Sequence, residues 1–139
     1  NKIFFNIGKP KRFDVVVFMF PDNNKIDFVK RVIGLPGETV EGVGGRIKIN
    51  GQFIEDSHSH YDSTYYLASR DFGPIAVPEG QYFMMGDNRV FTHDSRAWGC
   101  VDASLLRGKA WRLYWSWDPA RGLSFSQRLR TNRLGVKVN

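Results

Sequence analysis

Lys30 is the residue whose setting most directly suggests chemistry. It lies in the run IDFVKRVIGLPG, residues 26–37. A strand over residues 26–33 alternates with period two, placing Ile26, Phe28, Lys30 and Val32 on one face and Asp27, Val29, Arg31 and Ile33 on the other. An ammonium on an otherwise apolar face must reach water along its stem or give up its proton. In a free lysine at neutral pH only about one amine in a few thousand is uncharged. Desolvation raises that fraction, and a neutral amine can act as a general base. Arg31 points the other way and cannot do the same job. An edge-strand lysine that discourages aggregation fits the same pattern, and this stretch alone leaves both readings open.

A second group of polar residues follows at 86–96, GDNRVFTHDSR, between the apolar runs FMM (83–85) and WRLYWSW (111–117). Asp87, Asn88, Arg89, Thr92, Asp94, Ser95 and Arg96 have the donors and acceptors to hold a loop rigid. Asp94 and Arg96 are near enough in sequence to pair, and the Thr92 hydroxyl both donates and accepts. A catalytic lysine needs such a partner to accept its N–H and aim its lone pair. A structural, salt-bridged turn has the same composition. His58, His60 and Asp62 have His-x-His spacing but no cysteine or second histidine cluster to complete a metal site. The glycines at 42, 44 and 45 are not followed by Gly-Lys-Ser/Thr. No metal or cofactor is therefore expected.

The elements that must position these residues are mostly strands. Strand patterns cover 14–20, 26–33, 39–41, 46–50, 52–54, 81–85 and 108–117, with one helical turn at 102–106. Asn50-Gly51 signals a type I′ hairpin. The continuous VVVFMF run of 15–20 predicts burial on both faces. Trp111, Leu113, Trp115 and Trp117 share one face of the final strand. Residues 55–80 are the least patterned and read as a surface loop or a small sub-domain carrying Tyr61, Tyr65 and Tyr66. The expected fold is mainly β, an antiparallel barrel or coiled sheets with little helix. Residues 1–41 and 81–139 form its core, and 42–80 form a β-ribbon hairpin and small insertion.

Composition narrows the class. With 139 residues, 42% hydrophobic and 14% aromatic, the chain is globular and long enough for a real core. Its 20 basic and 14 acidic side chains give a net charge of +6, which points to an anionic partner, a phospholipid surface or nucleic acid. The single cysteine, Cys100, excludes an intrachain disulfide. The longest apolar run, Val15 to Phe20, is far short of a bilayer span, and no secretory signal is visible. The chain begins at Asn1 and reads as a fragment or processed form. The basic end, SFSQRLRTNRLGVKVN, is either a surface-binding segment or a solvated tail or last strand.

Taken in order, RFDVVVF, KRVIGLPGE, YFMMGDNR, a hydroxyl residue, DSR-x-WG and GKA, from about Asn1 to Trp117, resemble the bacterial type I signal (leader) peptidases. That resemblance implies a mostly β, membrane-anchored serine protease with a Ser–Lys dyad that removes signal peptides from secreted proteins on the outer side of the membrane. It makes Lys30 the general base and Thr92 the hydroxyl that orients it. Arg31, Gly86, Asp87, Asn88, Arg89, Asp94, Ser95 and Arg96 become the supporting loop and ion pairs. Phe18, Phe28 and Met84 or Met85 become the groups that desolvate the lysine. Asp27, Phe28 and Val29 would pair with the signal peptide by β-augmentation, with small pockets for alanine-like side chains.

Two departures stand out. Val90-Phe91 replaces the family's usual Asp-Asn after GDNR. The nucleophilic serine, carried in the family by a Ser-Met-x-Pro motif, is expected upstream of Asn1, so the chain alone is expected to be inactive. Expected partners are signal peptides of secreted preproteins and the phospholipid surface, at the cell membrane on its periplasmic or extracytoplasmic side. A conjugative-transfer or organelle inner-membrane peptidase on the same fold fits these motifs, as does an inactive paralogue that binds peptides or membrane. The aromatics follow core-like alternation more than an exposed stacking platform, so nucleic acid is not an expected partner.

Overall fold

The computed structural model describes residues 8–60, 71–90 and 92–110, and the backbone of two short strands beyond them. The chain divides into two compact units, Asn1–Lys109 and Ala110–Asn139. In the first, β1 (Val15–Phe20) and the long β2 (Asn23–Gly34) are followed by β3 (Thr39–Val43), β4 (Arg46–Ile49) and β5 (Gln52–Phe53). Then come β6 (Phe72–Ala76), β7 (Gln81–Met85), α1 (Ser95–Trp98), β8 (Val101–Asp102), a 3₁₀ turn at Ala103–Leu105, and β9 (Leu106–Lys109). One antiparallel sheet has the order β8-β7-β2-β1-β9 and the other β5-β4-β3-β6. In the second unit, β10 (Arg112–Leu113) pairs with β11 (Val136–Lys137).

Alternation along β2 divides the core in two. Its even-numbered side joins Val16, Phe18, Val32, Tyr82, Met84 and Val101. Its odd-numbered side joins Ile33, Phe83 and Met85 with Val40, Ile47, Ile49 and Val77. The hairpin therefore shares a core with the larger sheet and does not close on one of its own. An insertion boundary at residue 42 falls inside β3, which pairs with β4 and β6 along its length. Burial along β1 also differs from expectation: Val16 and Phe18 are wholly enclosed, while Val15, Val17, Met19 and Phe20 are half-buried. Only one face of β1 is fully covered.

Three elements were not expected: β6, α1 and the two-residue β8, which pairs with β7. Strand β6 carries Gly73 and Pro74, which mask its pattern. Helix α1 is a single turn with Asp94 as its N-cap, accepting from Arg96 N. The helical turn expected at 102–106 is the 3₁₀ turn, capped by the Asp102 carboxylate accepting from Ser104 N at 2.8 Å. The 108–117 strand is divided between β9 and β10; Trp111, Trp115 and Trp117 lie outside the described residues, as do Tyr61, Asp62, Tyr65 and Tyr66. Asn50 and Gly51, with φ of 51° and 79°, form the left-handed pair a type I′ turn requires.

Where β2 turns away from the larger sheet, a Cβ on Gly34 would overlap Val40 and come within 3.0 Å of Val77 Cγ2 and of Phe83 Cβ. Gly34→Ala is expected to cost about 1–3 kcal/mol through overpacking, read as a lower urea midpoint with an unchanged m-value.

Candidate functional site

Lys30 sits where β2 changes neighbours. It pairs with Val16 across the β1 ladder, as Phe28 pairs with Phe18, so these side chains share a face. On the other side, β2 pairs with β7 from Arg31↔Met85 onward, together with Val32↔Met84. Val16, Phe18, Val32 and Met84 are all 0% exposed, and the Lys30 Nζ lies 5.8 Å from the Phe28 ring centroid. Burial lowers the Lys30 pKa from the usual lysine range. The nearby Asp94 charge opposes this, Arg96 assists it, and Asp87 opposes it.

Register decides between the two methionines. Met84 is on the lysine's face. Met85 pairs with Arg31 and packs in the other cluster with Ile33 and Phe83, so it does not contribute to desolvating Lys30. Sequence reasoning missed Phe20 and Trp98, which complete the apolar surroundings of Phe28. Their ring centroids lie 4.8 Å and 5.4 Å from that of Phe28. The signal lay in Phe20 sharing alternation with Phe18, and in the tryptophan of DSRAWG.

Residues 86–96 do form a network. Arg31, 5% exposed, crosses to the opposite face. There its Nε and Nη2 donate to the two oxygens of Asp87, both at 2.7 Å, and its Nη1 donates to the Phe13 carbonyl at 2.9 Å. Asp94 has a fully buried side chain. It accepts from Gly86 N at 3.1 Å, from Arg96 N at 3.1 Å, and from Arg96 Nε and Nη2 at 2.9 and 2.8 Å. The Ser95 hydroxyl accepts from Met84 N at 2.9 Å, tying the loop directly to β7. Thr92 Oγ1 donates to the Asn88 carbonyl, so toward an amine it can only accept. A Cβ on Gly86 would overlap the Thr92 side chain, which makes glycine a steric requirement there. Asn88 also forms a parallel bridge with His60. The Arg89 side chain is 1% exposed and pairs with Asp56 from the unpatterned 55–80 stretch.

The profile of the family described as "Signal peptidase, peptidase S26" matches residues 1–115. The chain belongs to the signal peptidase family. It is 38% identical over 123 residues to a signal peptidase I of Leptolyngbya laminosa, covering 83% of this chain and 58% of that protein. To the signal peptidase I T of Bacillus subtilis it is 40% identical over 101 residues, covering 69% and 52%. The chain thus spans little more than half the length of these relatives. A crystal structure of a signal peptidase I from Enterococcus faecalis superposes with a TM-score of 0.66 at 36% identity, covering 75% of this chain and 98% of that one. The mainly antiparallel β fold with little helix expected from the sequence is that of a signal peptidase.

Asp27, Phe28 and Val29 pair on one side with Met19, Phe18 and Val17. Among the described residues no strand pairs with their other side. Val29 is 55% exposed and Ile26 44%. Among the described residues no helix is long and apolar enough to cross a membrane.

Proposed function

We propose that the full-length protein is a membrane-associated serine endopeptidase that removes signal peptides from secreted preproteins, and that Lys30 is its general base. The observation that carries this reading is a lysine desolvated on the core face of β2, beside the rigid loop of residues 86–96. Membership of the signal peptidase family supports the reaction class. The nucleophile in this reading is a serine upstream of Asn1. Its hydroxyl attacks the scissile carbonyl, and neutral Lys30 takes the hydroxyl proton. As the scissile C–N bond breaks, the Lys30 ammonium gives that proton to the leaving amine; the neutral amine then deprotonates the water that attacks the acyl-enzyme, and the proton returns to the serine oxygen as it leaves.

Thr92 accepts a Lys30 N–H and aims the lone pair, its own proton being engaged by Asn88. Asp87, Asp94 and Arg96 set the charge around the amine, while Phe18, Phe28 and Met84 exclude water. Asp27, Phe28 and Val29 hold the substrate as an added strand. The net charge of +6 suits an anionic phospholipid surface on the extracytoplasmic side.

The test is cleavage of a preprotein by the full-length protein in lipid, with residues 1–139 alone as a control expected to show no turnover. Turnover by residues 1–139 would overturn the assignment of an upstream nucleophile. A full-length protein that cleaves no preprotein would favour the peptide-binding paralogue, for which the Val90-Phe91 departure is the motivating feature. Thr92→Val is expected to lower kcat roughly a hundredfold, with Thr92→Ser restoring it. Equal rates for Thr92→Val and wild type would remove the hydroxyl from the mechanism. Activity is expected to rise as pH rises through the Lys30 pKa, because only the neutral amine accepts a proton.

A further inference from the structure

Arg89 and Asp56 form an enclosed ion pair, with side chains 1% and 6% exposed. Arg89 also reaches the 86–96 loop and segment 56–60, while its Nη1 is buried with no hydrogen-bond partner among the described residues. Its Nε donates to the Gly86 carbonyl at 3.1 Å, and its backbone N–H donates to the His60 carbonyl at 3.0 Å. His60 N then donates to the Asp87 carbonyl at 2.8 Å. Segment 56–60 therefore holds Gly86, Asp87 and Arg89 from one side, while Asp94 holds Gly86 N and Arg31 holds the Asp87 carboxylate.

From this geometry we infer that Asp56 is a positioning residue for Lys30: it fixes Arg89, which fixes the Gly86 carbonyl and with it the Gly86–Thr92 contact in the loop that carries Asp87, Asp94 and Arg96. The inference rests on the reading of Lys30 as the base. Removing the Asp56 charge leaves a buried guanidinium uncompensated, so Arg89 must move toward water or another acceptor. Either movement releases Gly86, which tolerates no atom between itself and Thr92. The loop then loosens and water reaches Lys30, whose pKa rises toward the usual lysine range. The charged groups around Lys30 are Asp94, Arg96 and Asp87; His93, edge-on to the Trp98 ring at 4.7 Å, is the nearby histidine. Beside Asp56, the His58 Nδ1 lies 3.7 Å from Oδ1.

The enclosed pair borders a cavity. Asp56 and Arg89, with Arg46, Phe53 and Ser59, line an open cavity of about 460 Å³. A small carboxylate such as acetate can therefore enter beside Arg89 when the Asp56 side chain is cut back.

The test uses the full-length protein and a preprotein substrate. Asp56→Asn keeps the side-chain volume and removes the charge. It is expected to lower kcat about tenfold to a hundredfold at unchanged KM, and to move the acidic limb of the pH–rate profile upward. Asp56→Glu should recover much of the rate, and acetate should raise the turnover of Asp56→Ala but not of Asp56→Asn. A wild-type kcat and limb in Asp56→Asn would overturn the inference. So would a loss confined to KM, or loss of the thermal transition, which would make the pair general scaffolding. Lys30→Ala distinguishes the two levels: a Lys30→Ala protein that still cleaves sinks the base assignment itself, whatever Asp56→Asn does.

Discussion

Lys30→Met in the full-length protein is expected to abolish preprotein cleavage, by about 10⁴-fold or more, since it removes the group that activates the nucleophile. The fold should remain intact. Lys30 is half-buried on the face that carries Val16, Phe18, Val32 and Met84, and methionine offers similar length without the cost of partly desolvating a charge. The thermal midpoint should therefore hold or rise, as is usual when a polar functional group is traded for packing. The pH dependence of stability adds a second signature. Because the folded pKa of Lys30 is depressed, the unfolded chain binds more protons between the folded value and the usual lysine range. Wild-type stability thus gains with rising pH through that window, and Lys30→Met should lose this gain. Retained cleavage in Lys30→Met would remove the residue from the mechanism.

Asp94→Ala is expected to have the largest effect on stability, about 3–5 kcal/mol, because it strands a guanidinium and orphans buried donors. The Asp94 carboxylate accepts from Gly86 N, Arg96 N and two Arg96 guanidinium nitrogens, and it caps α1. Urea denaturation should show a lower midpoint at constant m-value. Asp94→Asn, which keeps the cap but weakens the ion pair, should fall between wild type and Asp94→Ala. It should also leave Lys30 with a lower pKa, because the Asp94 charge is what most favours the ammonium form. Near-wild-type stability in Asp94→Ala would contradict the view that residues 86–96 are held as one rigid network.

The site was legible in the sequence wherever a side chain's face follows from local periodicity. Phe28, Lys30 and Val32 fall on one side of β2, and Arg31 on the other, from alternation alone, and the structure keeps that division. The Asp94–Arg96 pair is likewise local. What sequence could not provide depends on which strand meets which. Whether Met84 or Met85 lies beside Lys30 is a matter of register between β2 and β7, and a one-residue slip would exchange them. The Asp56–Arg89 pair spans 33 positions, and Asp56 lies in a stretch without periodicity. Helix α1 is too short to show a helical repeat; its start is marked only by Asp94, which composition assigns equally well to an ion pair. The hairpin's place in the shared core escaped because Val40, Ile47 and Ile49 meet Ile33 and Phe83 only across two sheets, a contact that no local pattern records.

The most direct measurement is the proton titration of the Lys30 amine itself in the full-length protein, followed by NMR of its labelled side chain with Lys30→Arg as the assignment control. A Lys30 that titrates clearly below the usual lysine range, and moves upward when Gly86→Ala displaces Thr92, is the predicted result. A Lys30 that titrates with the surface lysines would contradict the account.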